Sequence, residues 1–278
     1  MSRNVEASSS EPLNNSFAAI LKEAFLGTSR NFTEGPILPA LMILAIPMIL
    51  EMSMESLFAI VDTFFVAKLG AESVAVVGLT ESILVLTYAV AIGLSIGATA
   101  TVARRVGERD MDGAARTATH VVYLGVIVAL GMGAAGVIFA PKLFHLLGAE
   151  PHVIELGTPF MRIMLGTNIV IVFLFLLNGI FRGAGDAAIA LRVLITANGL
   201  NILFCPLFIF GIGPFPELGV TGAAVATVCG RGIGVIFAVW ALFIRDNGRL
   251  NVKREHWTFD PRLLWSLITL SATAVLQF

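Results

Sequence analysis

Six long apolar runs follow one another along the chain, at about 37–66, 73–101, 117–140, 157–181, 187–212 and 219–244, and each reaches the roughly 20 residues that a helix needs to cross a bilayer. Glycine, proline and charge mark the gaps: KLGAE (68–72), RRVGERDMDG (104–113), LLGAEPH (146–152), FRGAGD (181–186), GPFPE (213–217) and RDNGR (245–249). Strands and irregular chain are excluded from lipid unless their backbone groups are paired, so runs of this length predict helices. A seventh apolar run begins near Leu263 and reaches Phe278, the last residue of the sequence. The pattern predicts an all-α integral membrane protein. Its parts are a polar N-terminus over 1–36, disordered or amphipathic, a six-transmembrane-helix bundle over 37–244, a connector over 245–262, and the start of a seventh helix over 263–278.

Composition agrees. The 278 residues are 57% hydrophobic and 13% charged, against about 25% charged in an ordinary soluble domain, and the mean hydropathy is +0.89. The net charge of −1 and the scatter of the basic residues leave no surface for a nucleic acid. Cys205 and Cys229 lie inside apolar runs and read as buried thiols. There is no CxxC and no HExxH, and the four histidines sit at span ends or in gaps with no catalytic spacing. These features predict a protein that is not an enzyme and holds no metal or organic cofactor.

The basic residues also give an orientation. With the N-terminus taken as cytoplasmic, fourteen of the eighteen Lys and Arg fall in inside segments and two, Lys68 and Lys142, in outside loops, with Arg162 and Arg231 left within spans. Such a bias is the mark of cytoplasmic loops. It predicts a multi-pass protein of the inner (plasma) membrane with its N-terminus in the cytoplasm.

The first span is unusual. LEMSMESLFAIVDTFF (50–65) carries three carboxylates: Glu51, Glu55 and Asp62. A charge at the bilayer centre costs at least about 2.5–3.5 kcal/mol. At about 100° per residue, Glu55 falls about 40° and Asp62 about 20° from Glu51, so all three share one stripe and face one environment, a wet cavity or the bundle interior. Glu51 and Glu55 have two open readings: structural partners of neighbouring helices, or cavity carboxylates. Asp62 is the stronger functional candidate. Glu81, Arg162 and Arg231 are further intramembrane charges, and Arg231 has Glu81 or Glu55 as a candidate partner. The fifth run adds Asn198, Asn201 and Cys205, the last two on one face, and the sixth adds Thr227. Gly93 with Gly97, and Gly230 with Gly234, have the spacing of closely packed membrane helices.

The seventh run repeats the first. ILAIPMILEM (43–52) aligns with TLSATAVLQF (269–278), with Leu44 over Leu270, Leu50 over Leu276 and Glu51 over Gln277. Repeats of whole bundles are a transporter architecture. The chain therefore reads as one half of a two-lobed protein, cut short where the second half begins.

The stretches LAIPMILE (44–51), FAIVDTFFVAKLGAESVAVVGL (58–79), LNGIFRGAGD (177–186), NILFCPLFIFG (201–211) and LGVTGAAVAT (218–227) resemble the multidrug and toxic compound extrusion (MATE) transporters, nearest to their DNA-damage-inducible-F-like branch. The resemblance runs from about residue 38 to the end and covers one lobe of a family with two six-helix lobes. It implies export of drugs, organic cations or metabolites in exchange for H⁺ or Na⁺ by alternating access. It also implies a cation site: Asp62 matches the first-helix aspartate, Asn201 the fifth-helix asparagine and Thr227 the sixth-helix threonine. The family's fifth-helix aspartate falls on Cys205. A neutral thiol is a poor partner for Na⁺, a hard cation that prefers oxygen, so proton coupling is expected here. Glu51 and Glu55 are candidates to supply the missing negative charge. The implied partners are a small-molecule substrate, the lipid bilayer and a second six-helix lobe. The alternatives are a membrane fragment without transport, or a lipid-precursor flippase of the same superfamily, which would favour a basic cavity.

Overall fold

The computed structural model describes residues 17–27, 36–244, 250 and 252–277. Most of the sequence expected to be a disordered or amphipathic N-terminus, and part of the connector, lies outside the described residues. Among those described, the chain is all-helical. Helix α1 (Phe17–Leu26) leads to six candidate spans: α2 (Ile37–Ala67), α3 (Ala71–Gly107), α4 (Met111–Leu146), the pair α5 (Pro151–Gly166) and α6 (Asn168–Gly183), α7 (Ala187–Phe210) and α8 (Val220–Phe243). Helix α9 (Pro261–Val275) follows a 3-10 turn at Arg254–His256.

The turns have local causes. Asp110 caps α4 by accepting from Gly113 N–H at 2.8 Å, and Asp260 caps α9 by accepting from Arg262 N–H at 2.9 Å, with Pro261 in the first turn. Gly211 closes α7 in the left-handed conformation at φ +66°, which costs glycine nothing. Helix α2 is unbroken through Pro47. The fourth span is not continuous: it breaks at Thr167, between Gly166 and Asn168, where the sequence pattern predicts one helix. The Thr167 hydroxyl folds back onto Ile163 O at 2.6 Å, and the Asn168 side chain is buried with both amide atoms unpartnered. Alternation of the spans puts the loops 68–70, 147–150 and 211–219 at one end of the bundle, the Lys68 end. Loops 108–110 and 184–186 lie at the other, the Arg182 end.

The apolar side chains pack in two clusters. One joins Leu94, Val102, Leu124, Leu177, Ile180, Val193 and Ala238, and takes in Leu267 of α9. The other joins Val66, Leu84, Phe144, Met161, Ile209 and Val220. Close backbone approach is built from glycine. Helix α9 lies on α3, where a Cβ at Gly93 would come within 2.3 Å of Val275 Cγ2 and one at Gly97 within 2.3 Å of Ser271 Oγ. Between α7 and α8, a Cβ at Gly230 would lie 2.7 Å from Asn201 N and 2.8 Å from Ala197 O. These are backbone atoms, which cannot swing aside. Gly230→Ala is therefore expected to part α7 from α8 and destabilise the protein by about 1–3 kcal/mol, read as a lower unfolding temperature in detergent. An unchanged unfolding temperature would show that the helices do not approach this closely.

Helix α9 and the segment before it are tied to α4. The backbone N–H of Asp260 donates to His120 Nε2 at 2.8 Å, and the Thr119 hydroxyl donates to His256 O at 2.9 Å. Both histidines are buried and structural. At the same end Arg192 of α7 donates to Phe25 O, holding α1 against the bundle.

Candidate functional site

Helices α2 and α7 pack side by side and run parallel. Two polar contacts join them, Glu55 to Asn198 and Asp62 to Cys205. Both partners lie 143 residues apart in the chain, so the helices keep one register over two turns. The stripe of three carboxylates faces this seam and its neighbours, as the 100° periodicity requires. The opposite side of α2 carries Ile49, Met52, Leu57, Ile60 and Phe64, all exposed.

Each carboxylate meets different chemistry. Glu51, 6% exposed, takes a hydrogen-bonded ion pair from Arg182 Nη1 of α6 at 2.8 Å, and the same guanidinium donates through Nη2 to Ser95 Oγ of α3 at 3.0 Å. One turn on, Glu55 accepts from Arg231 Nη2 of α8 and, at 3.3 Å, from the Asn198 amide of α7. Arg231 is 1% exposed and also donates to the Tyr88 hydroxyl of α3 at 3.0 Å. Its guanidinium lies 4.9 Å from the centre of the Phe58 ring and 5.9 Å from that of Tyr88. Two turns on, Asp62 accepts from the Cys205 thiol at 3.2 Å and, among the described residues, makes no ion pair. Three carboxylates thus share one stripe. Two are matched by arginine, and the one nearest the Lys68 end has a neutral partner.

Asn201 and Thr227, both buried, are joined directly: the Asn201 amide donates to Thr227 Oγ1 at 3.0 Å, and the Thr227 hydroxyl folds onto Ala223 O. The four residues expected at the cation site therefore stand as two bonded pairs, Asp62 with Cys205 and Asn201 with Thr227. They are tied together by the single turn of α7 between Asn201 and Cys205. Among the described residues no group of three or more His, Cys, Asp or Glu is arranged to hold a metal ion. Cys205 and Cys229 are free thiols.

Arg231 pairs with Glu55 rather than Glu81, which is exposed on α3. Arg162 is exposed on α5. The sequence pattern misses Arg182, counting it as a loop cation because it stands second in FRGAGD. The usable signal was Glu51 itself, a buried acid that requires a cation near its own depth. Tyr88 and Ser95 were missed too, because polar hydroxyls in spans are common and carry no spacing signature.

Comparison with known proteins follows this geometry. The MatE family pattern matches residues 47–207, more than half of the chain and every span from the Pro47 turn of α2 through most of α7. A FAD transporter of Shewanella oneidensis is 29% identical over 231 residues, covering 79% of this chain and 51% of the relative. A probable multidrug resistance protein NorM of Thermotoga maritima is 27% identical over 223 residues, covering 80% of this chain and 48% of the relative. Among solved structures, a MOP superfamily transporter from Pyrococcus furiosus Vc1 (DSM3638), described by a reverse polarity of its binding pocket, superposes with a TM-score of 0.81 at 31% identity. The superposition covers 88% of this chain and 53% of that one. The chain spans about half the length of the relatives it matches. With six apolar helices in one bundle, a carboxylate stripe facing its interior and the family pattern laid across both, the chain belongs to the MatE family of membrane transporters.

Proposed function

We propose that this chain supplies the N-terminal lobe of a secondary active exporter, which moves a small organic molecule out of the cell in exchange for protons entering at Asp62. The observation that carries the reading is the contrast along the stripe. Glu51 and Glu55 are matched by Arg182 and Arg231, whereas the hydrogen-bond partner of Asp62 is a neutral thiol. An arginine partner balances the charge of a carboxylate in an apolar setting; a carboxylate whose partner is neutral is balanced only by a bound proton or cation. The thiol argues against Na⁺, which needs several oxygens.

The chemistry at the lobe follows. Ionised Asp62 accepts the Cys205 S–H. Once protonated it also carries a donor, so its hydrogen bonding to the α7 seam changes with loading. Neutralisation removes a charge from the α2–α7 seam and alters how α2 packs. Coupling arises when proton and substrate favour different arrangements of this lobe against a second six-helix lobe. The basic-residue bias sets the Lys68 end outside and the Arg182 end in the cytoplasm of an inner-membrane protein. The names of the relatives put forward FAD and drugs as candidate substrates, and the family resemblance adds organic cations.

The test is a chimera in which this chain replaces the N-terminal half of the Shewanella FAD transporter. In proteoliposomes, FAD and the organic cation ethidium are offered under an imposed pH gradient and, separately, a Na⁺ gradient. One of the two probes is expected to accumulate under the pH gradient and neither under Na⁺ alone. Accumulation driven by Na⁺, or by neither gradient, would overturn the reading.

A further inference from the structure

The polar stripe is not continuous. Phe58 lies at about −20° from Glu51 on the helical wheel, on the same stripe as the carboxylates and between Glu55 and Asp62. Its side chain is buried, and its ring is covered by the Arg231 guanidinium. Toward the Lys68 end of this ring lie Asp62 and Cys205; the Asn201–Thr227 pair lies level with it, since Asn201 follows Phe58 by the same 143 residues; toward the Arg182 end lie Glu55, Asn198, Glu51 and Arg182. Beside the break at Thr167, between α5, α6 and α8, a small pocket with room for about one water has Thr167, Thr227 and Arg231 as its polar lining. That pocket is bordered by Thr227, the partner of Asn201, and by the same guanidinium, whose Nε is buried and has no hydrogen-bond partner.

Arg231 therefore borders both the ring and the pocket. A proton moves along a hydrogen-bonded chain only through groups that can accept as well as donate. A guanidinium has five donors and no acceptor, and it keeps its charge throughout. A phenyl ring offers neither. A fixed arginine in a narrow polar path also repels an approaching proton, the arrangement by which some membrane pores exclude protons and cations.

We propose that Phe58 and Arg231 form a proton barrier across the middle of the lobe, which confines exchange at Asp62 to the Lys68 end. The proposal rests on Asp62 as the proton-exchanging group. It adds a separate element, since an exporter with a proton site and no barrier would dissipate the gradient without moving substrate. Glu55 and Tyr88 are positioning residues in this scheme: they hold the guanidinium over the ring by one ion pair and one hydrogen bond.

The experiment reads passive proton flux, with the 278-residue chain reconstituted into liposomes that enclose a pH dye, the potential clamped by K⁺ and valinomycin, and no substrate present. Vesicles with the unaltered chain are expected to hold a pH step as long as protein-free vesicles. The double variant Glu55→Gln with Arg231→Met removes the guanidinium without stranding a charge, and is expected to dissipate the step several-fold faster. Phe58→Ala removes the ring and leaves the guanidinium, and is expected to leak more slowly than the double variant but faster than the parent. Arg231→Lys keeps a charge and is expected to remain tight. Leak by the unaltered chain, or tight vesicles with both Phe58→Ala and the double variant, overturns the barrier. Where the double variant does not assemble, Phe58→Ala decides. Asp62→Asn, added to the leaking variants, separates the two readings: a lost leak supports both, whereas a leak that persists keeps the barrier and removes Asp62 from the path.

Discussion

Asp62→Asn in the two-lobe chimera is expected to reduce substrate accumulation under a pH gradient to the level of empty vesicles, with the protein still folded. The amide has nearly the volume of the carboxylate, and its oxygen still accepts from the Cys205 thiol, so the 3.2 Å contact survives. A neutral hydrogen bond of this kind contributes only about 0.5–1.5 kcal/mol, and the variant retains it, so the unfolding temperature should change little. What is lost is the proton. The amide does not take one up or release it, so the lobe is held in one loading state. Downhill movement of substrate is expected to persist and to lose its dependence on pH. Uphill accumulation equal to the parent's, with the same pH dependence, would remove Asp62 from the mechanism.

Glu55→Ala has the larger expected effect on stability. Arg231 is 1% exposed, so removing its anion leaves a buried guanidinium with the Tyr88 hydroxyl and two aromatic faces for company. Breaking a buried pair from one side costs about 3–5 kcal/mol, mostly as the penalty for the stranded charge. Glu55→Gln keeps an acceptor and should lie between. Glu55→Gln with Arg231→Met removes both charges and should recover most of the loss, because a matched apolar replacement of an ion pair is often close to neutral. Thermal unfolding in one detergent gives the order of the four proteins. If Glu55→Ala melts with the parent, the pair does not hold α2 to α8.

Much of this arrangement is legible in the sequence. The six spans followed from run length, because a lipid-facing backbone has few alternatives. The carboxylate stripe followed from periodicity, because spacings of four and seven return to one face whatever the helix packs against. Packing order was not readable. Whether Arg231 met Glu55 or Glu81 depends on how α2 and α3 are rotated about α8, and nothing local records that. Arg182 was misplaced for a related reason: its backbone belongs to the last turn of α6, while its long side chain reaches back to Glu51. The break at Thr167 left only the short sequence Gly166–Thr167–Asn168 inside an otherwise apolar run, a signal that many intact helices also carry. The two pairs Asp62–Cys205 and Asn201–Thr227 combine what the residue pattern supplied, the four positions, with what it did not, their partners.

The common offset of 143 between α2 and α7 also bears on how the lengths of these helices can vary. A single residue inserted between Glu55 and Asp62 would turn one contact about 100° off the seam and leave the other in place. The same insertion between Asn198 and Cys205 would do the mirror image. Only a matched insertion in both segments would keep both contacts; a whole heptad in one segment returns the side chain to the seam but carries it about 10 Å along the axis from its partner. The stretches 55–62 and 198–205 are thus tied as a pair of rulers cut to one length. Length changes are tolerable in the loops at either end, while these two seven-residue intervals can change only together.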